Sequence, residues 1–200
     1  MFRLTAYSAA DVEARIATAS QMPPTEPRFL TMNGRVIGDP LPSGFVRDVS
    51  TSALGSGQLI WEAAREAMSS WIPFDLGWVS VRNTVAPIRL GQLVAVEART
   101  IGLRTLNLSR IVDVADEPVR FGFVYATTPL HVEEGEERFL IEMDTASGHV
   151  HYSLEAVSRP RNPLARLGYP VTRMYQHRFA RDSHRRMRSL LAAQGRSPRA

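Results

Sequence analysis

The sequence predicts an α+β domain in which a bent antiparallel β-sheet wraps around one long C-terminal helix, preceded by a short strand–helix extension. Three observations predict it. From Gly77 to Ser158 the hydrophobic pattern has period two and is rich in Val, Ile, Phe and Tyr. Short turn-like connections separate these segments and no crossover helix intervenes, which selects antiparallel meander pairing over a doubly wound sheet. Beyond Ser158 the chain returns to a helical pattern.

The elements follow in order. "FRLTAY" is a short strand, and "SAADVEARIATAS" is a helix with Ser8 as N-cap and Asp11 three residues on. The Pro- and Gly-rich run from Gln21 to Gly44 is loop with a turn at Asn33–Gly34. "FVRDVSTSALG" is a strand. "SGQLIWEAAREAMSSW" is a helix with Leu59, Ala63, Ala67 and Ser70 along one face and Ile60, Ala64 and Trp71 beside it, stopped by Pro73. Six strands follow: "GWVSVRNTV", "QLVAVEARTI", "TLNLSRIVDV", "RFGFVYATT", "ERFLIEM" and "HVHYSLEAVS". A long helix starts near Pro170. Residues 1–43 are read as an extension packed on a main domain of residues 44–192, with 193–200 a disordered tail.

Composition excludes several chemistries. The 200 residues contain no cysteine and no lysine, so all 24 basic side chains are arginine. Thiolate nucleophiles, cysteine-ligated zinc, lysine Schiff bases and a Walker-type phosphate loop are excluded together. No cofactor is expected. No apolar run approaches the roughly eighteen residues that a spanning helix needs. The N-terminus has no long apolar core and carries acids early, so cytoplasmic residence is the expectation. A net charge of +4 does not by itself argue for nucleic acid.

The stretch "YATTPLHVEEGEERF" concentrates charge between two apolar segments. One reading is a hairpin with its tip at Glu134–Gly135 and with His131, Glu133, Glu134 and Glu136 solvated. Glu137 differs, because it shares strand parity with Phe139, Ile141 and Met143 and so points inward with them. There it forms either a polar cluster with Tyr125 and His131 at a cavity mouth or a buried pair with an arginine that sets strand register. "HVHYSLE" places His149 and His151 on one strand face with Ser153 and Glu155. That is the wet face of an edge strand or, with a third ligand, part of a metal site. His177, Arg178, Arg181, His184, Arg185, Arg186 and Arg188 form a basic stripe on the last helix, read as a solvated face rather than a nucleic-acid surface because no aromatic residues are interleaved for stacking.

Phe121, Gly122, Phe123, Tyr125, Thr127, His131, Gly135, Glu136, Glu137, Arg138 and Phe139, continued by Ser158, Pro160, Gln176 and Phe179, resemble the pattern F-G-F-x-Y-G-T-L-x-x-H-x-x-x-G-E-E-R-F, then S-x-P and a helix with Gln-x-x-Phe. This is the pattern of the uncharacterised protein family 0548, also called the domain of unknown function nineteen-ninety. "LGSGQLIWEAAREAMSSW" resembles the family's Gly-rich helix start, and the resemblance covers about residues 44 to 190. Ala126 and Thr128 stand where the family tends to have Gly and Leu, and no tryptophan stands near residue 104. The element order resembles the helix-grip group of plant allergens and polyketide cyclases, which implies a cavity between the sheet and the C-terminal helix.

The function expected from these readings is capture of a small, largely apolar molecule in such a cavity. Cofactor-free acid–base chemistry of cyclase, dehydratase or isomerase type would use His131 to shuttle a proton, with Glu137 orienting it and Tyr125 beside them. Trp78, Arg110, Phe123, Arg138 and Gln176 are the candidate ligand contacts. The alternatives are an interaction protein whose core is filled by Phe121, Phe123, Trp78 and Met174, or a metal-dependent enzyme built on His149, His151 or His131. No membrane and no nucleic acid is expected as a partner.

Overall fold

The computed structural model describes residues 2–22, 29–36, 38, 40–84, 86–161 and 169–194. Ten strands and three α-helices occur among them: β1 Phe2–Arg3, α1 Ala9–Ser20, β2 Leu30–Thr31, β3 Gly34–Arg35, β4 Val46–Ser56, α2 Gln58–Ser69, β5 Val79–Val81, β6 Leu93–Thr100, β7 Leu103–Asp116, β8 Arg120–Thr127, β9 Glu133–Met143, β10 His149–Pro160 and α3 Tyr169–Gln194. A 3-10 turn spans Ile72–Phe74. The main sheet runs β4-β10-β9-β8-β7-β6-β5 with every pairing antiparallel. The six expected strands thus form a meander, and β4 returns to its far edge beside β10. Strand β7 pairs β6 along its first half and β8 along its second, and β1 pairs Thr105 and Arg104.

The concave face holds the main core. Trp61, Ala64, Ala67 and Met68 of α2, Trp71, Phe74, Phe121, Phe123, Phe139, Ile141 and Tyr152 are buried together with Met187 and Leu191 of α3. The buried face of α2 is therefore the Trp61–Ala64–Met68 stripe. Leu59 and Ser70, expected on that face, are exposed, because the stripe at helical spacing that turns to the core is Trp61, Ala64 and Met68. The helix also ends before Trp71, which adopts a left-handed φ of 59° and tucks its ring into the core. Helix α3 docks through polar contacts as well. His184 lies between Ser50 Oγ (2.8 Å from Nε2) and Ser52 Oγ (2.8 Å from Nδ1), and Ser183 Oγ is 2.9 Å from Tyr152 Oη. His184 is thus buried rather than part of a solvated basic stripe, because Ser50 and Ser52 share the concave face of β4 with it.

The N-terminal elements cover the convex face. Tyr7, Val12 and Ala19 pack on Leu93, Ala95, Leu106 and Leu108. Helix α1 starts as predicted: the Ser8 side chain accepts from Asp11 N and the Asp11 carboxylate accepts from Ser8 N, at 3.1 and 2.8 Å. Phe29, Leu30, Met32 and Phe45 pack on Ala115, Val124, Leu140 and Val157. The β2–β3 turn falls at Met32–Asn33, one residue earlier than expected. Helix α3 runs to Gln194, past the expected tail boundary, and residues 195–200 lie outside the described residues.

The charged stretch before Phe139 is not a hairpin tip. The β8–β9 turn lies earlier, where His131 N donates to Thr128 O at 3.0 Å, and Glu133 already begins β9. Gly135 pairs Ser158 inside the ladder. A Cβ there would lie 2.1 Å from Val157 O, so close backbone approach rather than a turn requires glycine. Glu136 and Arg138 face the convex side. Glu136 Oε2 accepts from Phe29 N (2.9 Å) and Leu30 N (2.8 Å), and Arg138 donates to Thr31 O (2.8 Å) and pairs with Glu155.

Gly135→Ala is expected to destabilise the fold by about 3 kcal/mol, since Val157 O belongs to a paired strand that cannot give way. Urea denaturation followed by circular dichroism measures it; a midpoint unchanged from the parent chain would show that β9 and β10 can separate locally.

Candidate functional site

Helix α3 is anchored unevenly. Ser183, His184, Met187 and Leu191 are buried, whereas Val171 and Met174 at its other end are exposed. Beneath that first half lies a cavity of about 520 Å³. Phe74, Trp78, Val96, Leu154, Tyr175 and Phe179 supply apolar and aromatic wall. Phe2, Ile101 and Val171 also border it, and Ile101 N donates to Tyr175 Oη at 3.2 Å, joining the β6–β7 turn to α3.

Strand parity places the polar groups. Tyr125 and Glu137 are cross-strand partners on the concave face, and Tyr125 Oη donates to Glu137 Oε2 at 2.8 Å. Glu133 lies four residues before Glu137 in β9 and borders the same space. Gln176 Nε2 donates to Glu133 Oε1 (2.7 Å) and to Ser158 Oγ (3.1 Å). Gln176 Oε1 in turn accepts from Arg173 (2.9 Å), whose guanidinium forms a two-pronged pair with Asp48, one contact being 2.6 Å. This chain of bonds ties α3 to β4, β9 and β10 at the cavity edge.

The buried carboxyls resist ionisation. Desolvation first, and then the neighbouring Glu137 carboxylate, raise the Glu133 pKa to about 7, against the smaller opposing effects of Gln176 and Arg173. Desolvation also raises Glu137, opposed by the Tyr125 hydrogen bond. Tyr125 is pushed up by burial and by the adjacent Glu137. His131 moves the other way: burial of the ring and then the Arg161 charge lower it to about 4. Its Nδ1 accepts from Glu133 N at 3.0 Å, so the neutral ring carries its proton on Nε2.

The predicted site residues divide. Tyr125, His131, Glu137, Trp78 and Gln176 all border the cavity. No hydrogen bond links His131 to Glu137 among the described residues, and the low His131 pKa leaves it neutral rather than a ready proton carrier. Arg110 lies on the convex side, where Nη2 donates to Ala19 O at 2.9 Å and caps the C-terminal end of α1. Arg138 also points to the convex side, one residue out of phase with Glu137, and its ion pair is with Glu155. Phe123 is fully buried in the filled half of the core, stacked 5.0 Å from Phe139. Among the described residues Glu137 therefore does not pair with an arginine; the arginine–carboxylate contact forms next to it on the opposite face. Glu155 is buried between Arg47 and Arg138, so it is not part of a wet strand face. His149 and His151 rings are 6.4 Å apart, and no group of three potential metal-ligating side chains occurs among the described residues. Glu133 was the residue missed. Its parity with Glu137 could have found it once the turn was placed before it.

The model for the domain of unknown function DUF1990 matches residues 31–186. The chain belongs to this family. A UPF0548 protein of Dictyostelium discoideum is 38% identical over 160 residues, 74% of each chain. A UPF0548 protein of Arabidopsis thaliana is 31% identical over 147 residues, 70% of each chain. Among solved structures, protein NE0264 from Nitrosomonas europaea superposes with a TM-score of 0.50 at 13% identity, over 78% of this chain and 100% of that one. The major latex-like protein 151 from Panax ginseng gives 0.47 at 12% identity, over 74% and 97%. The family resemblance and the α+β helix-grip arrangement expected from the sequence both hold. No helix among the described residues is long and apolar enough to cross a membrane.

A raised carboxyl pKa stabilises the folded chain at low pH, and that contribution is lost as pH rises from the unfolded value, 4.5, through the folded value, about 7. Glu133→Gln mimics the protonated form. Relative to the parent chain it should gain on the order of 2–3 kcal/mol of stability between about pH 5 and about pH 8. Urea midpoints at the two pH values measure this, and a constant difference would mean that Glu133 ionises normally.

Proposed function

We propose that this protein binds a small, largely apolar molecule between the sheet and the first half of α3, and presents Tyr125, Glu133 and Glu137 to that molecule's polar group. The observation that carries this reading is a pair of desolvated carboxyls, neither held by an ion pair to arginine among the described residues, bordering a cavity with apolar and aromatic walls. A carboxyl needed only for folding is normally neutralised by a close cation or by several donors, as Glu136, Glu97 and Glu155 are here. Groups that remain costly to bury are those kept for a ligand.

The same geometry supports cofactor-free acid–base chemistry. Glu133, with a pKa of about 7, is matched to proton transfer near neutrality, so it takes the shuttling role that the sequence assigned to His131. Neutral His131 would serve as a hydrogen-bond donor from Nε2. Tyr125 holds Glu137 in place. A cyclase-, dehydratase- or isomerase-type step on the bound molecule fits this set, because each needs a proton moved within an enclosed space.

Native mass spectrometry of the purified protein, followed by denaturation, should release a small organic molecule. Ala156→Phe, which fills the cavity from β10, should weaken binding of an apolar fluorescent probe at least about tenfold while thermal unfolding remains cooperative. Equal probe binding by the variant would place the probe elsewhere and remove this reading.

A further inference from the structure

Resting on the cavity reading above, the charges around that cavity narrow the class of molecule it takes. The chain has 24 arginines and no lysine, yet no arginine borders the cavity among the described residues. Three concave-face carboxylates do, Asp48, Glu133 and Glu137, while the Glu155 carboxylate points to the opposite face. Asp48 is neutralised by Arg173, and Glu155 by Arg47 and Arg138. Among the described residues Glu133 and Glu137 are not ion-paired; Glu133 Oε1 accepts from Gln176 and Glu137 Oε2 from Tyr125. The guanidiniums close by are engaged elsewhere: Arg161 Nη2 donates to Thr128 O (3.2 Å) and to the main-chain O of Glu133 (3.5 Å), and Arg173 holds Asp48 and Gln176.

We infer that the ligand is a hydrophobic amine, with its cationic nitrogen held by Glu133 and Glu137 and its apolar body against Phe74, Trp78, Tyr175 and Phe179. An anionic ligand would place a third negative group beside two carboxyls in a space that no arginine lines among the described residues. A cation is favoured because it offsets the cost of ionising the buried carboxyls. A neutral ligand gains only ordinary hydrogen bonds to the same groups.

A matched series tests this: phenylbutylamine, phenylbutanol and phenylbutanoic acid share one skeleton and differ only in head group. Titration calorimetry at neutral pH should show the amine binding at least about tenfold more tightly than the alcohol, with the acid weakest. Glu137→Gln, which can still accept from Tyr125, and Glu133→Gln should each weaken the amine about tenfold and leave the alcohol nearly unchanged. Thermal denaturation of both variants checks that they are folded. If the three compounds bind alike, or the variants keep the amine preference, the amine inference falls and the cavity reading stands. If none binds at millimolar concentration, both fall.

Discussion

Strand β9 carries charge on both of its faces, and the rest of the molecule is arranged to satisfy it. Glu134, Glu136 and Arg138 alternate with Glu133, Gly135 and Glu137, so period two separates them onto opposite sides of one sheet. On the convex side the charged groups meet peptide backbone: Glu136 accepts two N–H groups and Arg138 donates to carbonyls of the residue 29–34 segment. A segment with only a two-residue ribbon of its own is held by strong, charge-assisted bonds. On the concave side Glu133 and Glu137 are met by side chains instead, Gln176 and Tyr125. Gly135 sits between them and lets β10 approach closely enough for the whole register to close.

That division explains why one half of the concave face is filled and the other is open. Towards α2 the sheet presents Phe121, Phe123, Phe139 and Ile141, which are buried in one cluster with Trp61, Met68 and Trp71. Towards the first half of α3 it presents Tyr125, Glu133 and Glu137. Collapse of α3 onto these would leave the already desolvated carboxyls against apolar side chains with still less polar contact. The helix is held off instead. Gln176 and Arg173 bridge it to Glu133 and Asp48, while Ser183 and His184 fasten its other half to Tyr152, Ser50 and Ser52. The filled half provides the rigid platform from which the open half is built.

Sequence reasoning read much of this frame and misread one turn, with large consequences. Glu137 was placed inward by parity with Phe139 and Ile141, and Tyr125 was set beside it. A hairpin tip at Glu134–Gly135 follows if Gly135 supplies a positive φ and the acids around it are exposed, as most carboxylates are. That assignment sent Glu133 and Glu136 to solvent. In the fold Glu136 is 2% exposed and Glu133 is 8% exposed. Arg110 and Arg138 have the chemistry of ligand contacts, but strand parity puts both on the convex side.

The sequence alone determined the antiparallel meander, the C-terminal helix and the family, since alternation, turn spacing and an ordered motif are local properties of the chain. It also determined what the site could not contain, because cysteine and lysine are absent throughout. Only the tertiary structure decided which charges are neutralised. Glu155 and Glu133 are both glutamates in strands, yet one lies between two arginines and the other beside a glutamine and a cavity. Ionisation of a buried carboxyl depends on water and charge within a few ångströms, and residues far apart in the chain set both.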